Sequence, residues 1–188
     1  MNRIFLLLFL YFIFGTCDAA VYVVDPLKSM ASFEVGYIGH GKVKGVLSRV
    51  SGSVELDTQT RQGTGDFVFD MTGVETGSSM TNRFIKSSSV FDTEKYPTMV
   101  FHATRFDFEA DRLLAVNGDL NLHGVIKAIR LEARQYLCTD IPDTTRQQCQ
   151  CEFTTTIFRS HFGMKRFRFL VDDDVLINVN LMLERVQP

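Results

Sequence analysis

Four histidines, His40, His102, His123 and His161, are the first residues to test for metal or acid–base chemistry. They fall on four separate segments. None stands in the His-x-His or His-Glu-x-x-His spacing that would bring two imidazoles to one ion. His102 and His123 also lie opposite an apolar face, where solvent is the expected neighbour. Ser87-Ser88-Ser89 lacks the Gly-x-Ser-x-Gly setting that presents a nucleophilic hydroxyl. Asp172-Asp173-Asp174 reads as a polar turn, since a calcium loop needs regularly spaced oxygen ligands and a distal Glu. These residues predict no catalytic site, no metal and no cofactor. Arg159, Lys165, Arg166 and Arg168 form a basic cluster. A solvated face is its ordinary reading, and peripheral docking to an anionic lipid surface is the sharper one. A formal net charge of -2 over 188 residues gives no basic face for nucleic acid.

The thiols are the other reactive groups. Cys138 ends one apolar-patterned run, and Cys149 and Cys151 begin the next. An oxidising compartment would permit a disulfide across the polar loop between them, from Cys138 to either Cys149 or Cys151. Such a compartment is suggested by the N-terminus. Arg3 is followed by an unbroken apolar run, Ile4 to Phe14, and then by small residues up to Ala20. That is the pattern of a secretory signal peptide, and the run is shorter than the roughly 20 residues of a membrane span. The expectation is a signal peptide over residues 1–19, cleavage after Ala19, and one domain over residues 20–188 in the periplasm. Anchoring as a lipoprotein through Cys17 is the competing reading, against which Phe14-Gly15-Thr16 is a poor lead-in.

The elements that must position these groups are strands. Alternation with a period of two runs through the chain after the apolar leader. Phe33, Val35 and Tyr37 alternate with polar or small residues, and so do Val54 and Leu56. Phe67, Phe69 and Met71 form a further face, followed by Met99, Phe101 and Ala103. Leu114, Val116, Gly118, Leu120 and Leu122 come next, then Ile129, Leu131 and Ala133. Phe153, Thr155 and Ile157 precede Val175 to Leu183. Glu109 to Arg112 and Leu122 to Val125 read as tight turns. The result is an all-β chain of about eight or nine antiparallel strands, in a barrel or sandwich. Ser78 to Phe91 lacks alternation and places Met80 and Phe84 at helical spacing. It predicts a short helical excursion near one end. Asp92 is expected to cap the turn that Pro97 closes.

Several motifs in order resemble the YceI-like family of periplasmic lipid-binding proteins. They are Ser32 to Gly39 with Val43-Lys44-Gly45; Val74 to Gly77 with Phe91-Asp92 and Tyr96-Pro97; Val116 to Lys127; and Phe158 to Met164. Two positions depart from the family pattern. Tyr37 stands where a His is usual, and Thr81-Asn82 where an Arg-Asp pair is usual. The resemblance implies an eight-stranded, lipocalin-like β-barrel around an apolar tunnel. The implied ligand is one polyisoprenoid, quinone-like or fatty lipid.

Binding of such a tail would come from apolar area leaving water, at about 25 cal/mol per Å². Seventeen Phe and no Trp suit that task, because no indole N–H has to be satisfied. The expected wall is Phe33, Val35, Tyr37, Phe67, Phe69, Met71, Phe101, Leu120 and Leu122. The expected mouth is Phe84, Ile85, Phe91 and Phe162. Plain core packing is the alternative for each residue, and periodicity alone does not separate a hollow barrel from a filled one. The Tyr37 hydroxyl would meet either a ligand head group or backbone. The function implied is a lipid carrier or storage protein. The alternatives are a quinone-dependent redox partner or enzyme, and a scaffold barrel with a filled interior. Pairing into a homodimer is left open.

Overall fold

Alternating apolar residues can bury only one face of a sheet, and closing the sheet on itself buries that face without a second layer. The computed structural model takes this solution. It describes residues 19–186 apart from residues 40, 58, 143 and 145. Ten strands are present: β1 (Ala19–Val24), β2 (Met30–Tyr37), β3 (Gly41–Leu47), β4 (Val50–Asp57), β5 (Gln62–Asp70), β6 (Thr98–Glu109), β7 (Arg112–Leu122), β8 (Val125–Asp140), β9 (Gln147–Phe158) and β10 (Val171–Val186). Neighbours are antiparallel throughout, in the order β1-β4-β5-β6-β7-β8-β9-β10-β2-β3, and β1 returns to β10.

Ten strands make eight staves. The long β10 pairs with β2 over its first half and with β1 over its second, so β1 and β2 are one stave broken at Asp25–Ser29. β3 and β4 are likewise one stave, broken at Ser48-Arg49. The first break leaves the main chain of Met182 without a strand partner on the β1–β2 side, and local groups replace it. Its N–H donates to the buried Ser29 hydroxyl (3.0 Å) and its C=O accepts from the Asp25 N–H (2.8 Å). The eight-stranded antiparallel barrel expected from the sequence is therefore present.

The strand directions define two ends. One end carries the tight turns β4–β5 and β6–β7 and the β8–β9 loop. The other, the mouth, carries the β2–β3 turn, the β5–β6 connection, the β7–β8 turn and the β9–β10 connection. The β5–β6 connection holds the 3-10 turn Met71–Gly73 and the helix α1 (Ser79–Lys86), the expected excursion. Ser78 caps α1, its hydroxyl accepting from the Thr81 N–H (3.3 Å). Asp92 acts differently from the expectation. Its backbone carbonyl, not its carboxylate, accepts from the N–H groups of Lys95 and Tyr96, and its φ is +50°. His123 and Gly124 both have positive φ, as a two-residue hairpin turn requires. A side chain at Gly124 would collide with the Tyr96 ring, its Cβ coming within 2.6 Å.

The signal peptide expected over residues 1–19 lies outside the described residues but for Ala19. That residue already pairs with Asp57 as the first of β1.

Candidate functional site

The inward faces of the strands enclose two apolar compartments along the barrel axis. The deeper one, about 50 Å³, lies beneath Phe67, Phe69, Phe101, Phe106 and Phe108. The larger one, about 150 Å³, opens toward the mouth under α1 and the β9–β10 connection. They meet at one layer. Phe69 and Phe101 face the deeper compartment, and Met71 and Met99, each two residues away in the chain, line the other. Unbranched methionines can fit a chain of variable shape at that junction.

The deeper lining carries no charged side chain. Its polar groups are the hydroxyls of Tyr22 and Tyr136 and the sulfurs of Cys149 and Cys151. Tyr22 donates to the Gln147 side-chain oxygen (2.8 Å). Burial pushes both the Tyr136 hydroxyl and the Cys151 thiol up to about 12, so both stay neutral at physiological pH. Cys138 and Cys149 face each other across β8 and β9 and form a disulfide. Cys151, two residues on and 2% exposed, remains a thiol. The two pairings open in the sequence are thereby reduced to one.

The mouth is built differently. Ile85 of α1 is buried, whereas Phe84 packs against Phe167 at 5.3 Å between ring centroids. Phe33 meets Phe91 edge-on at 5.7 Å. The Phe33 ring needs Gly45 opposite it, because a Cβ there would come within 2.3 Å of the ring. Arg159 holds the β9–β10 connection together. Its guanidinium donates to the carbonyls of Met164, Arg166, Val171 and Asp172 at 2.6–2.9 Å. Burial lowers its pKa from the usual guanidinium value. Arg166 reaches across to the Ser89 hydroxyl (3.2 Å). Asn82, at a position that departs from the family pattern, ties α1 to the wall through the Thr76 N–H and hydroxyl (2.8 Å each) and the Glu75 carboxylate.

Most of the residues expected to face a ligand come together here. Phe67, Phe69 and Phe101 line the deeper compartment. Phe33, Val35, Met71, Phe84, Ile85, Phe91 and Leu122 line the one at the mouth. Three do not. Leu120 and Phe162 are buried in the core but line neither compartment. Tyr37 is 37% exposed at the rim, where β2 runs out into its turn. Opposite it β10 bulges between Val171 and Val175, and Asp172 closes over Gly36.

Other lining residues escape the simple alternation. Phe106 and Phe108 face inward because a bulge between Ala103 and Arg105 reverses the phase of β6. Tyr136 does so after a bulge between Ala133 and Gln135. The register shift near the β6–β7 turn also puts Leu113, not the expected Leu114, on the deeper lining. Tyr22 sits in β1, where Val21 and Val23 on the outer face hide the alternation. The described histidines stay apart: His102 contacts Asp66 at 2.7 Å on the outer wall, His123 packs at a tilt against Tyr96 and His161 against Phe158. His40 lies outside the described residues.

Comparison with known proteins places this architecture. The YceI-like domain model matches residues 22–183. A UPF0312 protein of Vibrio campbellii is 32% identical over 119 residues, which are 62% of this chain and 63% of that protein. Protein YceI of Escherichia coli O157:H7 is 27% identical over 128 residues, 66% of each chain. The match to the Vibrio proteins thus spans somewhat less than two thirds of their length. BcnA of Burkholderia cenocepacia superposes with a TM-score of 0.69 at 21% identity, covering 85% of this chain and 98% of its own. A polyisoprenoid binding domain from Saccharophagus degradans superposes with a TM-score of 0.65 at 21% identity, covering 88% and 98%. These two likenesses bear on the fold; the domain match over residues 22–183 establishes that the chain belongs to the YceI-like family.

Proposed function

We propose that this chain binds one long apolar lipid along the barrel axis and carries or stores it in the periplasm. The observation that carries the reading is the pair of compartments meeting end to end, the deeper lined without a charged side chain. A polyisoprenoid is the favoured ligand class. A related barrel from Saccharophagus degradans is described as a polyisoprenoid binding domain, and a methyl-branched chain suits a wall of Phe and Met. On this reading the barrel acts by binding. It replaces water around the tail and leaves any polar end near the mouth, where Ser32, Ser89 and Arg166 stand.

The test is a titration of delipidated protein with prenols of increasing length. Each buried methylene contributes about 0.8 kcal/mol, so each added five-carbon isoprene unit should tighten binding by up to about a thousandfold until the tunnel is full. Affinity that does not change with length would overturn the tunnel reading, and no binding at any length would favour a filled barrel.

A further inference from the structure

Some exposed apolar residues stand apart, such as Leu27 at the β1–β2 break and Leu137 on β8, but six lie on three segments at the mouth. Met80 and Phe84 stand out from α1, Phe167, Phe169 and Leu170 from the β9–β10 connection, and Ile38 from the β2–β3 turn. They form one patch. Phe84 packs on Phe167, and the Ile38 N–H donates to the Leu170 carbonyl at 2.9 Å. Phe169 is 90% exposed and Met80 81%, an unusual placement for side chains of that size unless something covers them.

The two longer segments that carry the patch hold charges of one sign. Ser78–Phe91 contains Arg83 and Lys86 and no acidic residue. Arg159–Leu170 contains Arg159, Lys165, Arg166 and Arg168 and none either. Of the carboxylates close by, Glu75 accepts from the Asn82 amide of α1. Asp173 accepts from the Ser160 N–H and hydroxyl, and Asp172 lies against Gly36. Lys42 and Lys44 on β3, by contrast, are both paired with Glu34. The patch also frames the way into the larger compartment, since Phe84, Phe167 and Arg166 belong to its lining. Phe167 holds a positive φ of 60°, which a bulky side chain adopts at a cost.

We propose that this face docks the barrel, mouth first, on an anionic lipid bilayer. Phe169, Leu170 and Met80 enter the headgroup region, and Lys165, Arg168, Arg83 and Lys86 lie against lipid phosphates. The Phe84–Phe167 contact then opens toward the acyl chains, so the tunnel loads and unloads without its cargo crossing water. A basic ring around apolar tips complements a bilayer; an acidic protein partner would not require six large apolar side chains in solvent. The proposal rests on the lipid-binding reading for what passes through the mouth, but not for the docking itself.

The test is sedimentation of the full mature protein with vesicles of phosphatidylcholine, alone or mixed with phosphatidylglycerol, alongside extraction of the lipid each variant retains. The wild type should favour the phosphatidylglycerol vesicles, and salt should weaken that preference. Each basic side chain near an anionic surface is worth about fivefold, so the Lys165→Gln/Arg168→Gln protein should partition about 25-fold less well. Phe169→Ser should lose about tenfold or more on both kinds of vesicle. Leu27→Ser removes an equally exposed side chain (94%) at the β1–β2 break and should match the wild type. Docking is overturned if the wild type ignores anionic vesicles, or if all variants sediment alike. If that happens while lipid is retained, the lipid-binding reading stands without the docking. If docking follows the expected pattern but no lipid is retained or taken up, docking stands and the lipid-binding reading falls.

Discussion

The ring of Phe101 lies over Gly118 of the neighbouring strand, where a Cβ would come within 2.8 Å of its Cζ. The side chain is thus a piece of core and a piece of cavity wall together. Truncating a core Phe costs about 3–5 kcal/mol. If Phe101 also touches lipid, part of that loss is expressed as weaker binding, which itself stabilises the fold. Phe101→Ala should therefore lower the melting temperature more in lipid-loaded than in delipidated protein. Equal losses with unchanged lipid content would make Phe101 core only. The cysteines divide in a way that peptide mapping can check. Cys138 and Cys149 should be recovered as one cross-linked pair and Cys151 as the thiol. Replacing Cys138 and Cys149 together by Ala should cost about 2–3 kcal/mol, given the short loop they close. Recovery of Cys138 linked to Cys151 would contradict the arrangement.

Elements differ in how far their sequences disclose them. β5 and the first half of β6 are plain alternations, so Phe67, Phe69 and Phe101 can be placed on an inner face from the residues alone. Phe106, Phe108 and Tyr136 cannot, because one extra residue in a strand reverses every side chain after it, and bulges leave little trace in composition. The two broken staves are equally silent. The break between β1 and β2 depends on Ser29 and Asp25 serving a strand distant in sequence. The β9–β10 connection shows the same limit. Its basic cluster is visible at once, but the inward turn of Arg159 is not. Four carbonyls converge on that one guanidinium. Lysine cannot reproduce the planar fork, and Arg159→Lys should lose about 2–3 kcal/mol. Amide exchange should quicken in residues 163–171 ahead of the barrel strands. Unchanged exchange there would mean that the loop is held by other contacts.

At the scale of the whole molecule, the barrel behaves as an apolar solvent for whatever lies inside it, including its own ionisable groups. Burial holds Cys151 at about 12 against an ordinary 9.0, and Tyr136 at about 12 against 10.0. Both folded values are raised. The stability tied to the neutral forms is present in full below pH 9 and is lost as pH climbs toward 12. Denaturant unfolding should show that decline, and Cys151→Val should flatten its lower part while leaving the part of the Tyr136 contribution that burial causes. Identical slopes would mean that Cys151 is not shielded from water. The same shielding is what a lipid tail would gain from the two compartments.

The most direct measurement is native mass spectrometry of protein purified without detergent, followed by organic extraction of the same sample. A barrel built around this tunnel should carry one long-chain lipid per chain, released on denaturation and identified as a polyisoprenoid. A bare mass for the folded protein, together with an empty extract and failure to take up added prenol, would contradict the lipid-binding account.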